Sequence, residues 1–317
     1  KQKAINSVKS NSIAANLIPK DYSSLEQCVK ESDLIFESVF EDFAVKSDVY
    51  ALISKFIKPG TIVATGTSGL SINSLGLSFE EEVRKSFLGI HMFNPPYNMT
   101  LCEVIPTKFT DKDLLIDVKR YLTDTLRRKV VEVEDQPAFL GNRIGFQFLN
   151  EALQLAEKHK HLGGIDYIDA IVGPFTGRSM APLVTSDFVG LDVHKAIVDN
   201  IQENTSDYAN GSFVLPSFTK KLVRENRLGA KTGSGLYKKV REGNGTTIKY
   251  VYDIDSEEYR RVRNYDFPFA HHMITEIKSG NYESAFRYLI NDDSEESILC
   301  TQLLMKYVIY SMKTTKT

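Results

Sequence analysis

Residues 33–65, DLIFESVFEDFAVKSDVYALISKFIKPGTIVAT, decide the fold of the first part of this chain. The apolar run 33–40 has strand character, and residues 61–65 form a second such run. Between them, residues 42–57 repeat their apolar positions mostly at steps of three or four, as a helix does, and Pro59-Gly60 stops that helix. The strand–helix–strand order predicts an α/β unit with a mostly parallel sheet.

The same alternation continues along the chain and then gives way to helices. Further strands are predicted at residues 87–93, 101–105 and 130–133, with a helix at 111–126. From Asp135 onward the apolar spacing is helical almost throughout, with helices predicted at 139–159, near 167, and at 187–200, 216–225, 267–279, 282–290 and 294–312. Residues 240–252 are polar and contain glycine, which fits a hairpin or a linker, and residues 1–16 read as part of a helix.

Composition excludes several classes of protein. The formal charge of -2 and the pI of about 6.4 lack the basic footprint of a nucleic-acid binder. No apolar run approaches the roughly 20 residues that a membrane span needs. The three cysteines lie far apart and form no CxxC pair, so we expect neither a disulfide framework nor a metal site. A reducing, cytoplasmic location fits best.

His91 and Glu103 are the first candidate catalytic pair. His91 lies near the carboxyl end of a predicted strand, where ligands bind in open α/β sheets. Glu103 lies in the following apolar strand, where a carboxylate is costly to bury without a partner. If the two strands are adjacent, the pair forms a general base, because histidine titrates near neutral pH and a carboxylate stabilises the imidazolium. A core histidine with a satisfied hydrogen bond is the structural alternative.

Two further polar segments have both a structural and a functional interpretation. Gly66-Thr67-Ser68-Gly69 follows a strand and presents two hydroxyls, which could bind a substrate oxygen or simply form the turn. Asn142-Arg143 is a polar pair in the first turns of an apolar helix, although asparagine is a poor helix former. This pair could serve a site, cap the helix or make an interdomain hydrogen bond.

An ordered set of motifs carries a resemblance to a known family. In chain order the motifs are Glu37-Ser-Val-Phe-Glu41 with Val45-Lys46, Thr67-Ser68, His91-x-Phe93-Asn94-Pro95 with Glu103, Asp135-x-Pro137-Ala138-Phe139-x-x-Asn142-Arg143, Pro182 with Asp187-x-Val-Gly190-Leu191-Asp192, and Lys231-Thr-Gly-x-Gly235. In this order and spacing, the chain resembles the L-3-hydroxyacyl-CoA dehydrogenase family over about residues 30–240. Each motif is weak alone, and the ordered set is highly specific.

The resemblance implies a Rossmann-type NAD-binding domain followed by an all-α helical domain, with the active site in the cleft between them. The family reaction is the NAD-dependent oxidation of an L-3-hydroxyacyl-CoA to the 3-oxoacyl-CoA, in fatty-acid β-oxidation or butanoate metabolism. By residue-for-residue match, His91 is the implied base and Glu103 orients it. The other implied site residues are Ser68 and Asn142, which hold the reacting oxygen and the histidine, and Glu41, Lys46, Asn94 and Lys231, which line the cofactor pocket.

The chain departs from the family pattern in two ways. Gly66 stands where the family usually has asparagine before Thr-Ser, which removes a polar contact near the nicotinamide, and Gly69 stands where serine or threonine is common. The G-x-G-x-x-G loop that holds a pyrophosphate at a helix N-terminus is not found. Because the sequence opens at Lys1, we expect a fragment whose incomplete Rossmann-type domain binds NAD poorly by itself and is inactive.

The predicted division of the chain follows from these boundaries. Residues 1–134 are the remainder of the NAD-binding domain, residues 135–240 the helical dehydrogenase domain, and residues 241–317 a helical C-terminal extension. Some longer bacterial family members continue into an enoyl-CoA hydratase module, and we expect such a fused module together with an acyl-CoA substrate. Short family members imply a homodimer through the helical domain.

Two other functions fit the same residues. A related β-hydroxyacid dehydrogenase would use the dyad on a substrate without CoA. A non-catalytic structural subunit would keep the fold after losing the nucleotide loop. Retention of all four catalytic-type residues favours an enzyme, whereas Gly66 and the missing loop favour the subunit.

Overall fold

A computed structural model describes residues 16–243 and 245–315 of the chain. The chain divides into two compact units, Lys1–Asp135 and Gln136–Thr317. The helix predicted within residues 1–16 lies outside the described residues, Asn16 excepted.

The first unit is built on a five-stranded sheet in the order β1-β2-β3-β4-β5. All neighbouring strands run parallel except β3 and β4, which are antiparallel. This confirms the predicted α/β unit with a mostly parallel sheet. The strands are β1 (Leu34–Glu37), β2 (Ile62–Thr65), β3 (Phe87–Met92), β4 (Leu101–Pro106) and β5 (Lys129–Glu132).

Helices connect these strands, and two of them begin at an aspartate that caps the helix N-terminus. The carboxylate of Asp42 accepts a hydrogen bond from the backbone of Val45, and Asp111 caps a later helix in the same way, so each helix begins where an acidic side chain satisfies its open N–H groups. The aromatic rings of Tyr50, Phe79 and Phe87 pack together with centroids 4.7–5.5 Å apart. The helices are α1 (Leu25–Glu31), α2 (Phe43–Ser54), α3 (Ile72–Gly76), α4 (Glu81–Arg84) and α5 (Lys112–Arg120), the last continued by a π turn at Tyr121–Thr125.

The second unit is mainly helical, as predicted. Its long helix α6 (Gly141–Lys158) is buried along residues 146–153 and contacts several of the others. The remaining helices are α7 (Ile165–Ile171), α8 (Pro182–Val189), α9 (Leu191–Asn204), α10 (Ser217–Arg224), α11 (Pro268–Lys278), α12 (Tyr282–Asn291) and α13 (Glu295–Thr314).

The single helix predicted at 187–200 is wrong, because the chain breaks at Gly190 into α8 and α9. Gly190 has a φ of 104°, and a side chain there would lie 2.7 Å from Nζ of Lys231. The backbone conformation therefore favours glycine, and a side chain there would also require Lys231 to move.

A three-stranded antiparallel sheet adds to the helices of this unit. It consists of β6 (Tyr237–Arg241), β7 (Thr247–Tyr252) and β8 (Tyr259–Arg261). The alternative of a hairpin at residues 240–252 is therefore confirmed over that of a linker. The extension is thus not helical throughout, and the boundary predicted between residues 240 and 241 falls inside β6.

A buried ion pair ties this small sheet to α7. The guanidinium of Arg260, in β8, lies 2.7 and 2.8 Å from the two carboxylate oxygens of Asp166, and it also donates to Asp253 and to the carbonyl of Gly163. The side chain of Asp166 is 3% exposed and that of Arg260 is 19% exposed. Residues beyond 240 are therefore an integral part of the unit.

We expect Arg260→Ala to lower the free energy of unfolding of this unit by about 3 kcal/mol, because it leaves a buried carboxylate without its partner. The neighbouring Arg261→Ala is the matched control, since Arg261 is 66% exposed and pairs with Glu242 at 3.2 Å. It should change stability by at most about 0.5 kcal/mol. Urea unfolding followed by circular dichroism measures the free energy of unfolding of both variants. Equal losses of stability would contradict the role of the Arg260–Asp166 ion pair in holding the small sheet against α7.

Candidate active site

The antiparallel pairing of β3 and β4 brings His91 directly opposite Glu103. Nδ1 of His91 lies 2.6 Å from Oε2 of Glu103, and the two residues are 6% and 1% exposed. The histidine ring also meets the ring of Phe93 edge-on at 4.7 Å. A carboxylate at Nδ1 fixes the tautomer that carries its proton on Nδ1, so Nε2 is the nitrogen that can exchange a proton with another molecule.

Three predicted site residues meet at the carboxyl ends of β1 and β2. Oε1 of Glu41 accepts a hydrogen bond from the hydroxyl of Thr67 and another, 3.0 Å long, from the backbone N–H of Ser68. Its second oxygen lies 3.3 Å from Nζ of Lys46. The carboxylate of Glu41 is 44% exposed, whereas Lys46 is buried. Glu41 and the exposed Ser68 can therefore meet a ligand from solvent.

Glu37 is a further member of this cluster and is buried. It opens the Glu37-Ser-Val-Phe-Glu41 motif, but the sequence predicts no role for it. Its carboxylate accepts hydrogen bonds of 2.7 Å from Lys46, Tyr50 and Thr65. Burial by itself would raise the pKa of Glu37, but these hydrogen bonds outweigh burial and hold the pKa below its ordinary value. The sequence indicates Glu37 as a candidate because it is a carboxylate in an apolar strand. The same reasoning identifies Glu103.

Asn94 follows β3, so it lies at the carboxyl end of the strand next to β2. It is exposed, and the bond to Pro95 is cis. The loop that it begins is fastened by Arg128, whose Nη1 donates to the carbonyl of Pro96 and, at 3.0 Å, to that of Met99. Glu41, Ser68 and Asn94 thus follow three neighbouring parallel strands.

Gly66, the departure from the family pattern, has a packing explanation. A side chain at this position would lie 3.0 Å from Cε1 and 3.1 Å from Cζ of Phe36, and 3.4 Å from the carbonyl oxygen of Glu37. A side chain at position 66 would therefore require the ring of Phe36 to move by a few tenths of an ångström.

The other two predicted residues lie in the second unit. Asn142 is the second residue of α6 and is half-buried. Its neighbour Arg143 pairs with Asp207 at 2.7 Å and donates to the hydroxyl of Tyr310 at 3.1 Å, so these contacts of the arginine are structural and lie within the second unit, and they are neither a helix cap nor an interdomain bond. Nζ of Lys231 lies 2.5 Å from Oδ1 of Asp192.

Asp135 supports the segment that follows Ser68. Its carboxylate accepts hydrogen bonds of 2.8–2.9 Å from the hydroxyl of Ser71, the backbone N–H groups of Ile72 and Asn73, and the amide of Asn73. It therefore caps α3 from a distant point in the sequence, and this accounts for the aspartate of the Asp135-x-Pro137 motif.

We expect Asp135→Ala to lower the free energy of unfolding of the first unit by about 1–2 kcal/mol, as loss of a helix cap does. Glu134→Ala is the matched control, because Glu134 is exposed, and it should stay within about 0.5 kcal/mol of wild type. Chemical denaturation of both variants gives the comparison. A stability for Asp135→Ala equal to that of the control would contradict the capping role.

Together, the sheet and site define a dinucleotide-binding type of α/β unit with a histidine–carboxylate dyad, joined in one chain to a helical unit. Residues 1–136 match the family model of the 3-hydroxyacyl-CoA dehydrogenase NAD-binding domain, and residues 139–239 match that of its C-terminal domain. The chain belongs to the 3-hydroxyacyl-CoA dehydrogenase family, and the domain that its first unit matches binds NAD.

Individual relatives agree with this family. A probable 3-hydroxyacyl-CoA dehydrogenase of Bacillus subtilis is 35% identical over 228 residues, which are 72% of this chain and 28% of that protein. The mitochondrial hydroxyacyl-coenzyme A dehydrogenase of Sus scrofa is 36% identical over 66% of this chain and 65% of its own length. The crystal structure of the (S)-3-hydroxybutyryl-CoA dehydrogenase of Ralstonia eutropha is 26% identical with a TM-score of 0.60, and the match covers 67% of this chain and 72% of that one.

The chain thus spans less than two thirds of the length of the first relatives that it matches. Within residues 16–243 and 245–315, no helix is both long and apolar enough to cross a membrane.

Proposed function

We propose that this protein catalyses the NAD-dependent oxidation of an L-3-hydroxyacyl-CoA to the 3-oxoacyl-CoA, with His91 and Glu103 as its general base. The observation that carries the proposal is the 2.6 Å contact between Nδ1 of His91 and Glu103 in a unit that matches the family's NAD-binding domain. The similarity to the (S)-3-hydroxybutyryl-CoA dehydrogenase of Ralstonia eutropha supports a CoA thioester as the substrate.

The described residues fit a nicotinamide cofactor. Glu41, Ser68 and Asn94 follow three adjacent parallel strands, and ligands of open α/β sheets bind at that edge. All three are exposed polar side chains, which suit the amide and hydroxyl groups of a nicotinamide riboside. When bound, NAD accepts the hydride from the carbon that carries the hydroxyl.

The dyad then handles the proton. Nε2 of His91 takes the proton of the substrate hydroxyl as the C–H bond breaks, so the alcohol becomes a ketone and the imidazole becomes an imidazolium. The carboxylate of Glu103, at Nδ1, stabilises that positive charge and keeps the ring oriented. Ser68 and Asn142 are proposed to hold the reacting oxygen and the histidine, and Lys46 and Lys231 to complete the cofactor pocket.

Three narrower statements belong to the same proposal. We place the reaction in fatty-acid β-oxidation or butanoate metabolism, because its product is a 3-oxoacyl-CoA. We place the protein in the cytoplasm. The homodimer and the hydratase fusion stay predictions.

The test follows the loss of NADH absorbance in the reverse direction, with the full-length purified protein and acetoacetyl-CoA. His91→Ala should lower kcat/KM by about 100- to 10,000-fold, the range that a general base contributes, and Glu103→Gln by about 100-fold, because it removes the charge that stabilises the imidazolium. His271→Ala is the matched control, because this histidine is exposed and pairs with the exposed Asp266. It should leave kcat/KM unchanged.

Acetoacetate in place of acetoacetyl-CoA separates the alternatives. Turnover of the free acid at an equal rate would favour a β-hydroxyacid dehydrogenase. If the folded protein turns over neither substrate, or if His91→Ala is as active as wild type, the proposal is wrong and a structural subunit becomes the better interpretation.

A further inference from the structure

Glu37 is a buried charge with more partners than its position in a strand requires. Only 4% of the residue is exposed, and its two oxygens accept hydrogen bonds from Lys46, Tyr50, Thr65 and, at 2.6 Å, the backbone N–H of Val39. Burying an ionised carboxylate is costly, and a set of donors this complete is what makes it tolerable. The low pKa that these donors produce keeps the carboxylate ionised at neutral pH.

Lys46 connects this buried charge to the exposed edge of the site. Its ammonium lies 2.7 Å from Oε1 of Glu37 and 3.3 Å from Oε2 of Glu41, and the lysine side chain is 1% exposed. Glu41, the outer carboxylate, in turn accepts from Thr67 and from the backbone N–H of Ser68. A continuous line of contacts therefore runs from Glu37 through Lys46 and Glu41 to Ser68.

We propose that Glu37 is a positioning residue that, through Lys46, holds Glu41 on the Thr67-Ser68 turn and so sets the affinity of this site for its nicotinamide cofactor. The inference rests on the proposed function, because it takes Glu41 and Ser68 as the groups that meet the cofactor. Glu37 itself touches neither cofactor nor substrate.

The balance of charges around Lys46 explains why Glu37 is needed. With both carboxylates present, the buried carboxylate is the nearer partner of the ammonium, and Glu41 is left able to accept from the turn. Among the described residues, the ammonium of Lys46 forms ion pairs with Glu37 and Glu41. Without the charge of Glu37, Glu41 is therefore the carboxylate that remains to pair with the buried ammonium. Glu41 is then drawn inward, and the Thr67-Ser68 turn loses its acceptor.

The rate of hydrogen exchange at the backbone N–H of Ser68 measures whether Glu41 still accepts its hydrogen bond, and the measurement needs no cofactor. Glu37→Gln should speed exchange at Ser68 about tenfold and raise the Kd for NADH, measured by fluorescence, by about tenfold, the scale of one lost charge-assisted hydrogen bond. Tyr50→Phe is the matched control, since it removes one hydrogen bond to Oε2 of Glu37 and leaves the contact with Lys46 intact. It should change either quantity less than about threefold.

A double-mutant cycle distinguishes positioning of Glu41 through Lys46 from a general loss of packing around Glu37. Lys46→Met should also speed exchange at Ser68, because it removes the ammonium that holds the second oxygen of Glu41. The double variant should be no worse than Lys46→Met alone, because Glu37 then has no ammonium through which to act. Effects that multiply to about a hundredfold would mean independent roles and would overturn the proposal. Unchanged exchange at Ser68 in Glu37→Gln would also overturn it.

Folding and function are controlled separately. If Glu37→Gln does not fold by circular dichroism, the comparison of Lys46→Met with the double variant still decides, because the double variant replaces the ion pair with a neutral pair. A tenfold difference between these two variants in exchange at Ser68 would then overturn the proposal. Absence of acyl-CoA turnover in wild type would contradict the proposed function. The exchange rates at Ser68 and the Kd for NADH would still test the positioning role of Glu37.

Discussion

The register between β3 and β4 is the constraint on which the site depends. Antiparallel pairing sets His91 against Glu103, while the neighbours of Glu103 in β4, Cys102 and Val104, are completely buried. Because successive side chains of a strand point to opposite faces, a slip of one residue would move Glu103 to the other face and leave it among apolar groups without its histidine. The cost of an unpaired buried carboxylate thus helps to fix the register that the chemistry needs.

Two carboxylates near the end of β1, one buried and one partly exposed, fix the geometry of the neighbouring part of the site. Glu37 is buried and Glu41 is 44% exposed, yet both face the ammonium of Lys46. The inner group is held by side chains of α2 and β2, so it is as fixed as the core around it. The outer group takes its position from the inner one. Binding groups supported in this way lose little freedom when a ligand arrives, which favours affinity.

The sequence allowed the sheet, most helices and the His91–Glu103 dyad to be predicted, because each depends on a local apolar pattern or on the cost of a lone carboxylate. Other features needed the tertiary structure. The donors to Glu37 come from Tyr50 and Thr65, which no spacing rule connects. The break at Gly190 depends on a backbone φ of 104°, which favours glycine, and the polar strands β6 to β8 show little apolar alternation. The functional roles of all the predicted site residues stay predictions: His91, Glu103, Ser68, Asn142, Glu41, Lys46, Asn94 and Lys231.

Gly66 departs from the family pattern in its side chain and keeps a backbone hydrogen bond that the turn uses. A Cβ atom at this position would lie 3.0–3.1 Å from the ring of Phe36, so a side chain here would require the ring to shift by a few tenths of an ångström. Phe36 is 44% exposed, which means that its ring is not required to fill a core. The backbone N–H of Gly66 still donates to the carbonyl of Glu37 at 2.9 Å, so the turn that carries Thr67 and Ser68 begins where the network of Glu37 requires it. The absence of a side chain at position 66 therefore leaves the hydrogen-bonded frame of the turn in place.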